Sequence, residues 1–382
     1  MRNITLTAAF MAAAGLTAAL GAGPAQADDT TPLQTLQAGA QGALSDQPGA
    51  IGAIWDHGTE QTVRAGFNDQ FMRVPADPTS QVRIGSNTKL FISTVLLQLE
   101  AEHKLSLDDT VDHWLPGWVN ANGHDGTKIT IRQLLNMTSG IPDYLDILDI
   151  QIWYYSDTDI HRIWSPRDLV NRATAVSGGT VGTYDYSNTN YVLAAEIIQA
   201  VTGRASGTEI QDRILTPLGM KDTTYPTTDP TLHGNWMHGY FLIRDTSFSS
   251  VSLTAGAGNM VSTLHDQAVF HAALLGGKLV PAQQMAELKT TVPIPDAPGN
   301  SFGLGIIKAE ACGQTAWGYN GAVIGNYTSW IGNDDGTRQV LTANNEYHGI
   351  PTKGQGTFAT AAVNALCRTT GVSPAIKLQA TG

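Results

Sequence analysis

The sequence predicts a split α/β (α+β) domain interrupted by a helical insertion. Three observations carry this. Strand-type runs gather near both ends of the chain. Between 105 and 250, loops rich in Pro, Gly, Asp and Asn separate helical pieces. One early helix is apolar almost all round, which marks it as buried at the centre of the fold.

Taken in order, residues 28–48 form a polar helix with Leu33, Leu36 and Leu44 on one side. Strands over 50–55 and 62–67 follow, joined by the turn signal His57-Gly58-Thr59, with a short third run over 81–84. The central helix spans 86–103 and carries Leu90, Phe91, Val95, Leu96, Leu97 and Leu99. Helical spacing recurs over 131–137, 190–201 (stopped by Thr202-Gly203) and 210–215. An amphipathic helix over 262–275 ends at Gly276-Gly277. Strands over 303–308, 315–319, 326–332 and 338–343 then precede a closing helix over 354–366. The α/β domain is therefore assigned to 28–105 together with 251–382, and the all-α insertion to 106–250.

Composition narrows the function classes. A chain of 382 residues suits one large or two ordinary domains. At 42% hydrophobic and 14% charged residues, it is not a disordered polymer. The net charge of −11 and the lack of a basic run argue against a nucleic-acid partner. Residues 1–27 have the layout of a secretory signal peptide: Arg2, an apolar Ala-rich run from Ile4 to about Leu20, and the small-x-small site Ala25-Gln26-Ala27. The expected product is secreted and extracellular, with no membrane attachment once the leader is removed. In an oxidising space Cys312 and Cys367 are expected to pair; the alternative is two buried thiols. The histidines lack metal-ligand spacing, so neither metal nor cofactor is called for.

Two short motifs carry chemistry. Ser86-Asn87-Thr88-Lys89 is the one S-x-x-K in the chain, placed where the apolar helix begins. Residues i and i+3 share a helix face, so the amine can reach the hydroxyl. A hydroxyl needs such a base to become a nucleophile, and a lysine inside a buried helix must be paired or deprotonated. Tyr186-Ser187-Asn188 is the one Y-x-N, in a polar loop just before a helix. A tyrosine can shuttle protons, and an amide can orient a lysine and hold a carbonyl.

Together with Arg83-Ile84-Gly85, the motif pair resembles the penicillin-recognising serine hydrolases: class C β-lactamases, DD-carboxypeptidases, D-amino-acyl amidases and related esterases. The stretch Leu134-Leu135-Asn136-Met137-Thr138-Ser139-Gly140-Ile141-Pro142-Asp143-Tyr144 is similar to that family's "LLxHTSGxxDY" segment, and Cys312 and Cys367 fall where such enzymes place a pair. The resemblance implies a β-lactamase/DD-peptidase-like fold, an antiparallel sheet flanked by helices with the inserted all-α domain. It implies that Ser86 attacks a carbonyl and that Lys89 and Tyr186 share the proton work of forming and hydrolysing an acyl-enzyme. Asn188 then fixes the acyl amide and Lys89, and the N–H groups of Ser86 and Ala322 form the oxyanion hole. A monomer is the family's habit.

The third motif departs from the pattern. Where relatives carry Lys or His, then Thr or Ser, then Gly, this chain reads Tyr319-Asn320-Gly321-Ala322. The cation is gone and an amide replaces the hydroxyl. A substrate carboxylate needs charge-assisted donors, so weak carboxypeptidase and weak β-lactamase activity are expected. The leading expectation is hydrolysis or aminolysis of D-amino-acyl esters, amides or peptides. The alternatives are a D-Ala-D-Ala carboxypeptidase, a carboxylesterase or an inert penicillin-binding-like receptor. Gly299-Asn300-Ser301-Phe302-Gly303 matches a nucleophile-elbow string but lacks its strand–turn–helix context. Asp143, Asp146 and Asp149 read as a solvated loop, or as a rim for a substrate ammonium. Trp153, Tyr154 and Tyr155 either line the cleft or pack the insertion.

Overall fold

The structure, a computed structural model, describes residues 30–156 and 162–369; the leader expected over 1–27 lies outside them. Nine strands form the main sheet: β1 Gly49–Asp56, β2 Thr59–Asp69, β3 Val74–Pro75, β4 Val292–Pro293, β5 Ser301–Phe302, β6 Ile307–Ala311, β7 Gln314–Val323, β8 Asn326–Asn333 and β9 Arg338–Asn344. Their order is β3-β2-β1-β9-β8-β7-β6-β5-β4, antiparallel throughout. The two chain ends meet where β1 pairs with β9, Ala50 opposite Asn344 through Asp56 opposite Arg338. This is the split sheet that the strand runs at both termini imply.

Alternation sorts the strand residues onto two faces. Ala50, Ile54, Ala316, Ile331 and Val340 face α1 (Pro32–Ala43) and α5 (Lys353–Thr369), where Leu36 and Phe358 complete a small core. Ile51, Ala53, Trp317, Tyr319, Trp330, Leu341 and Ala343 join the main core, around α2 (Thr88–Ala101) and α4 (Leu264–Leu275). Within α2, every residue from Thr88 to Leu97 is buried, as its all-round apolar sequence requires. The segment between the halves is helical, with α3 (Asn188–Thr202) at its centre and Gly203 ending that helix at φ 70°. One small hairpin, Tyr240–Phe241 with Arg244–Asp245, departs from the all-α expectation.

Among the boundaries that differ from the sequence reading, two have clear local settings. The run over 81–84 reduces to Val82–Arg83, which pairs with Val261–Ser262 outside the main sheet. The strand expected over 303–308 starts only at Ile307. Gly305, at φ 81°, turns the chain there, and a Cβ on it would lie 2.8 Å from Ser93 Oγ and Tyr191 Oη. The turn is thus pressed against the helices that carry the site.

Cys312 and Cys367 are joined. Cys312 lies in the β6–β7 turn and Cys367 in the last turn of α5, so the bond ties sheet to helix. The crosslink closes 55 residues, which the chain-entropy estimate makes worth about 4 kcal/mol. The Cys312→Ser/Cys367→Ser protein is therefore expected to lose about 2–4 kcal/mol in denaturant unfolding; a loss under about 0.5 kcal/mol would show that the loop is already restrained in the unfolded chain.

Candidate active site

The serine sits on a tight turn, one step earlier than the helix proper. Gly85–Asn87 form a 3₁₀ turn, and α2 begins at Thr88. Asn87 makes no side-chain cap; its Nδ2 donates instead to Thr328 Oγ1 on β8, at 2.9 Å. Gly85 has φ 52°, and a Cβ there would lie 2.5 Å from Ala322 N. A Cβ on Gly321 would fall 1.8 Å from Ile84 O. The two glycines let β7 lie against the serine turn with no side chain between them, so the backbone of Ala322 borders Ser86. Register explains why this edge is open: β6 covers β7 only from Gln314 to Gly318, leaving the side of Tyr319–Val323 that faces away from β8 without a strand partner.

Lys89 is wholly buried and makes three hydrogen bonds. Its Nζ donates to Ser86 Oγ at 3.0 Å, Asn188 Oδ1 at 2.7 Å and Ala257 O at 2.8 Å. It also lies 5.1 Å from the centre of the Tyr186 ring and 5.5 Å from that of Tyr191. Burial pushes its pKa down to about 7, against an opposing pull from the Asp143 carboxylate. Tyr186 Oη is 2.8 Å from Ser86 Oγ. Burial raises that phenol well above its ordinary range, so it stays protonated at neutral pH. Ser86, Lys89, Tyr186 and Asn188, 100 residues apart in sequence at the Ser86–Tyr186 contact, thus form one hydrogen-bonded cluster.

The loop over 136–145 holds the second motif in place. Asp185 N donates to Met137 O at 2.7 Å, Ser139 Oγ to Asn190 Oδ1 at 2.6 Å, and Tyr144 N to Thr189 Oγ1 at 3.0 Å. Asn188 Nδ2 donates to Asp143 Oδ2 at 2.6 Å. Asp143 is therefore no rim or solvated residue: it is 3% exposed and lies directly behind Asn188. The sequence gives Asp143 away only through its place in the Leu134–Tyr144 stretch. Ala257 contributes a carbonyl, which has no side-chain signature to find.

The third-motif residues divide between the two faces of β7. Tyr319 points toward the catalytic cluster and perturbs Tyr186 from beside it, with its own hydroxyl buried and making no hydrogen bond of normal geometry. Asn320 pairs in register with Ser329 and lies on the opposite face, 4% exposed. The sequence reading groups Asn320 with the substrate-binding residues of the third motif; strand alternation puts its side chain on the face opposite that of Tyr319.

The cleft itself is narrow and is lined by Ser86, Tyr186, Asn188, Leu145, Tyr154, Tyr347, Ala322 and Val323, among others. None of its described lining residues is an arginine or a lysine; Lys89 lies beneath the floor. Tyr154 belongs to the wall and accepts a hydrogen bond from Ile324 N at 2.7 Å. A second small cavity shares Tyr154, Thr254, Gly258 and Val323 with it and adds Trp153, Val251, Leu253, Arg83 and Arg162. Of the remaining sequence candidates, Ser301 lies in strand β5 and bonds Thr291 Oγ1, with no elbow around it. His238 pairs with Asp245 and His265 with Glu60, while His271 is buried against Trp330.

Comparison with known proteins agrees with this geometry. The β-lactamase family model matches residues 37–357. A D-stereospecific amidohydrolase from Streptomyces sp. is 35% identical, with a TM-score of 0.79 over 87% of this chain and 97% of its own. The D-amino acid amidase of Ochrobactrum anthropi SV3 shares the fold at 23% identity, with a TM-score of 0.78 over 89% of this chain and 99% of its own. Penicillin-binding protein 4* of Bacillus subtilis is 33% identical over 164 residues, 41% of this chain and 33% of that one. The match thus spans about a third of the length of such curated relatives. The match over 37–357, joined to a serine, lysine, tyrosine and asparagine in mutual hydrogen-bond contact, places the chain in the β-lactamase family of serine hydrolases.

Proposed function

We propose that this protein is an exported serine hydrolase that hydrolyses or aminolyses D-amino-acyl esters, amides or peptides through an acyl-enzyme on Ser86. The observation that carries the reading is the Ser86–Lys89–Tyr186–Asn188 cluster at the floor of a cleft without a lining cation. Ser86 Oγ attacks the substrate carbonyl as its proton passes to Lys89 Nζ, which its lowered pKa leaves partly neutral near pH 7. The oxyanion is received by the N–H groups of Ser86 and Ala322. Tyr186, protonated and touching Ser86, hands a proton to the departing alkoxide or amine and is refilled from Lys89. Water or an amine then reverses the sequence to release the acyl group. Asn188 keeps Lys89 aimed at Ser86. No cofactor takes part. Stereochemistry rests on the likeness to the Streptomyces amidohydrolase, and export on the leader-like residues 1–27 and the crosslinked cysteines.

The missing cation sets the substrate's charge. An unpaired carboxylate costs several kcal/mol to desolvate, so a leaving group with a free carboxylate is disfavoured. The test is a rate panel on the purified protein: a D-amino-acyl ester, its L-enantiomer, a D-Ala-D-Ala peptide and a cephalosporin. The D-ester is expected to exceed the free-carboxylate peptide in kcat/KM by about 100-fold or more. Faster turnover of that peptide would make the protein a carboxypeptidase, and faster turnover of the L-ester would remove the D-preference.

A further inference from the structure

The hydrogen-bond chain does not end at Asn188. It continues to Asp143, a carboxyl sealed from solvent that accepts from Asn188 Nδ2 at 2.6 Å and from Leu145 N at 2.9 Å, with the backbone N–H of Asn188 also directed at it. A buried acid needs a reason to be there, because burial alone favours its neutral form. Here two are visible. The amide of Asn188 can turn either way about its last torsion, and only one orientation presents Oδ1 to the ammonium of Lys89. A carboxylate behind the amide selects that orientation, since it accepts from Nδ2 and repels Oδ1. The same carboxylate is the acidic group that acts on Lys89, across one bridging amide.

We propose that Asp143 is a positioning residue for catalysis: through Asn188 it fixes the amide that aims Lys89 at Ser86, and its charge balances the proton that Lys89 carries during each acyl transfer. This rests on the reading of Lys89 as the base. It differs from a purely structural role in one respect. A structural acid holds the loop, whereas a charge-balancing acid sets where Lys89 titrates.

The groups that face this pair are few. Around Lys89 they are Ser86, Tyr186, Tyr191 and, through Asn188, Asp143. Around Asp143 they are Lys89, Tyr144, Tyr186 and Asp146. The three phenols stay neutral because burial raises each of them. Asp146 is the exception: burial and its acidic neighbours lift it to about 7, inside the same window. It acts on Asp143 and not on Lys89, so it serves as the control.

The sign follows from the charges. A negative Asp143 favours protonated Lys89, so neutralising it lowers the pH at which Lys89 loses its proton. Asp143→Asn keeps the shape and still offers an oxygen to Asn188 Nδ2. The full-length protein labelled with [ε-¹³C]lysine is titrated by NMR, with the Lys89 signal identified by its absence in Lys89→Met. In Asp143→Asn the Lys89 midpoint is expected to fall by about one to three pH units. The acid limb of kcat/KM for a D-amino-acyl ester should move down with it. Asp146→Asn should leave both in place. An unmoved Lys89 midpoint in Asp143→Asn overturns the proposal, and so does an equal shift in Asp146→Asn. If Asn at this place prevents folding, Asp143→Ala is read in the same titration. A wild-type protein that turns over no ester overturns the functional reading instead, and the NMR midpoint still decides the role of Asp143.

Discussion

Ser86→Ala is expected to remove turnover of any accepted ester by on the order of 10⁴–10⁶-fold, with binding of the substrate largely kept. The loss follows from what the hydroxyl does: it is the group on which the acyl bond forms, and it is also the hub between Lys89 and Tyr186. Its removal deletes two hydrogen bonds but leaves the fold intact, since the turn is set by Gly85 and by Asn87 on Thr328. Intact-mass measurement after a burst of substrate reads the outcome directly. Wild type should gain the mass of one acyl group and Ser86→Ala none. An adduct that persists in Ser86→Ala would put the nucleophile elsewhere. Residual turnover within tenfold of wild type would mean that a bound water, and not an acyl-enzyme, does the chemistry.

Lys89→Met should come second, with a loss of about 10²–10⁴-fold in kcat/KM. Methionine keeps the volume of the buried stem but not the base. In wild type, the neutral amine is the competent form, so kcat/KM should rise with pH through a midpoint near 7 and fall below it. That limb should vanish in Lys89→Met, and the residual rate should depend on pH no more than hydroxide attack does. Because Ser86 and Lys89 act as one unit, the double variant should be no slower than Ser86→Ala alone. A Lys89→Met protein with an unchanged acid limb would assign that limb to another group, such as Asp146, which burial also lifts to about 7. Near-UV circular dichroism checks that the core around α2 survives the substitution.

Much of the scaffold is legible from residue pattern because it rests on burial. The period-2 runs of β1, β8 and β9 alternate between two buried faces, and α2 is apolar all round because core surrounds it. Such patterns report on side-chain environment, which is local. The boundaries that misplace themselves are set by contact across the chain. Gly305 delays β6 because Ser93 and Tyr191 stand where a Cβ would go, and the serine turn forms because Gly85 meets Ala322. Neither contact leaves a periodic trace.

The site divides in the same way. From the sequence come the nucleophile and its lysine, because a spacing of three places them on one face of one helix. From it also come the tyrosine and asparagine, by their likeness to a known motif. Only the tertiary structure decides the rest. It puts Asn320 on the face opposite that of Tyr319 by strand alternation, sets Tyr319 beside Tyr186, and brings the Ala257 carbonyl to Lys89. It takes Asp143 from an acidic loop and buries it behind Asn188. The physical reason is common to all four. Chemistry at this site depends on the dielectric surroundings and on the angle of each bond, and those are properties of packing between segments far apart in the chain. A residue's identity states what it can donate or accept; its charge and its aim belong to the fold.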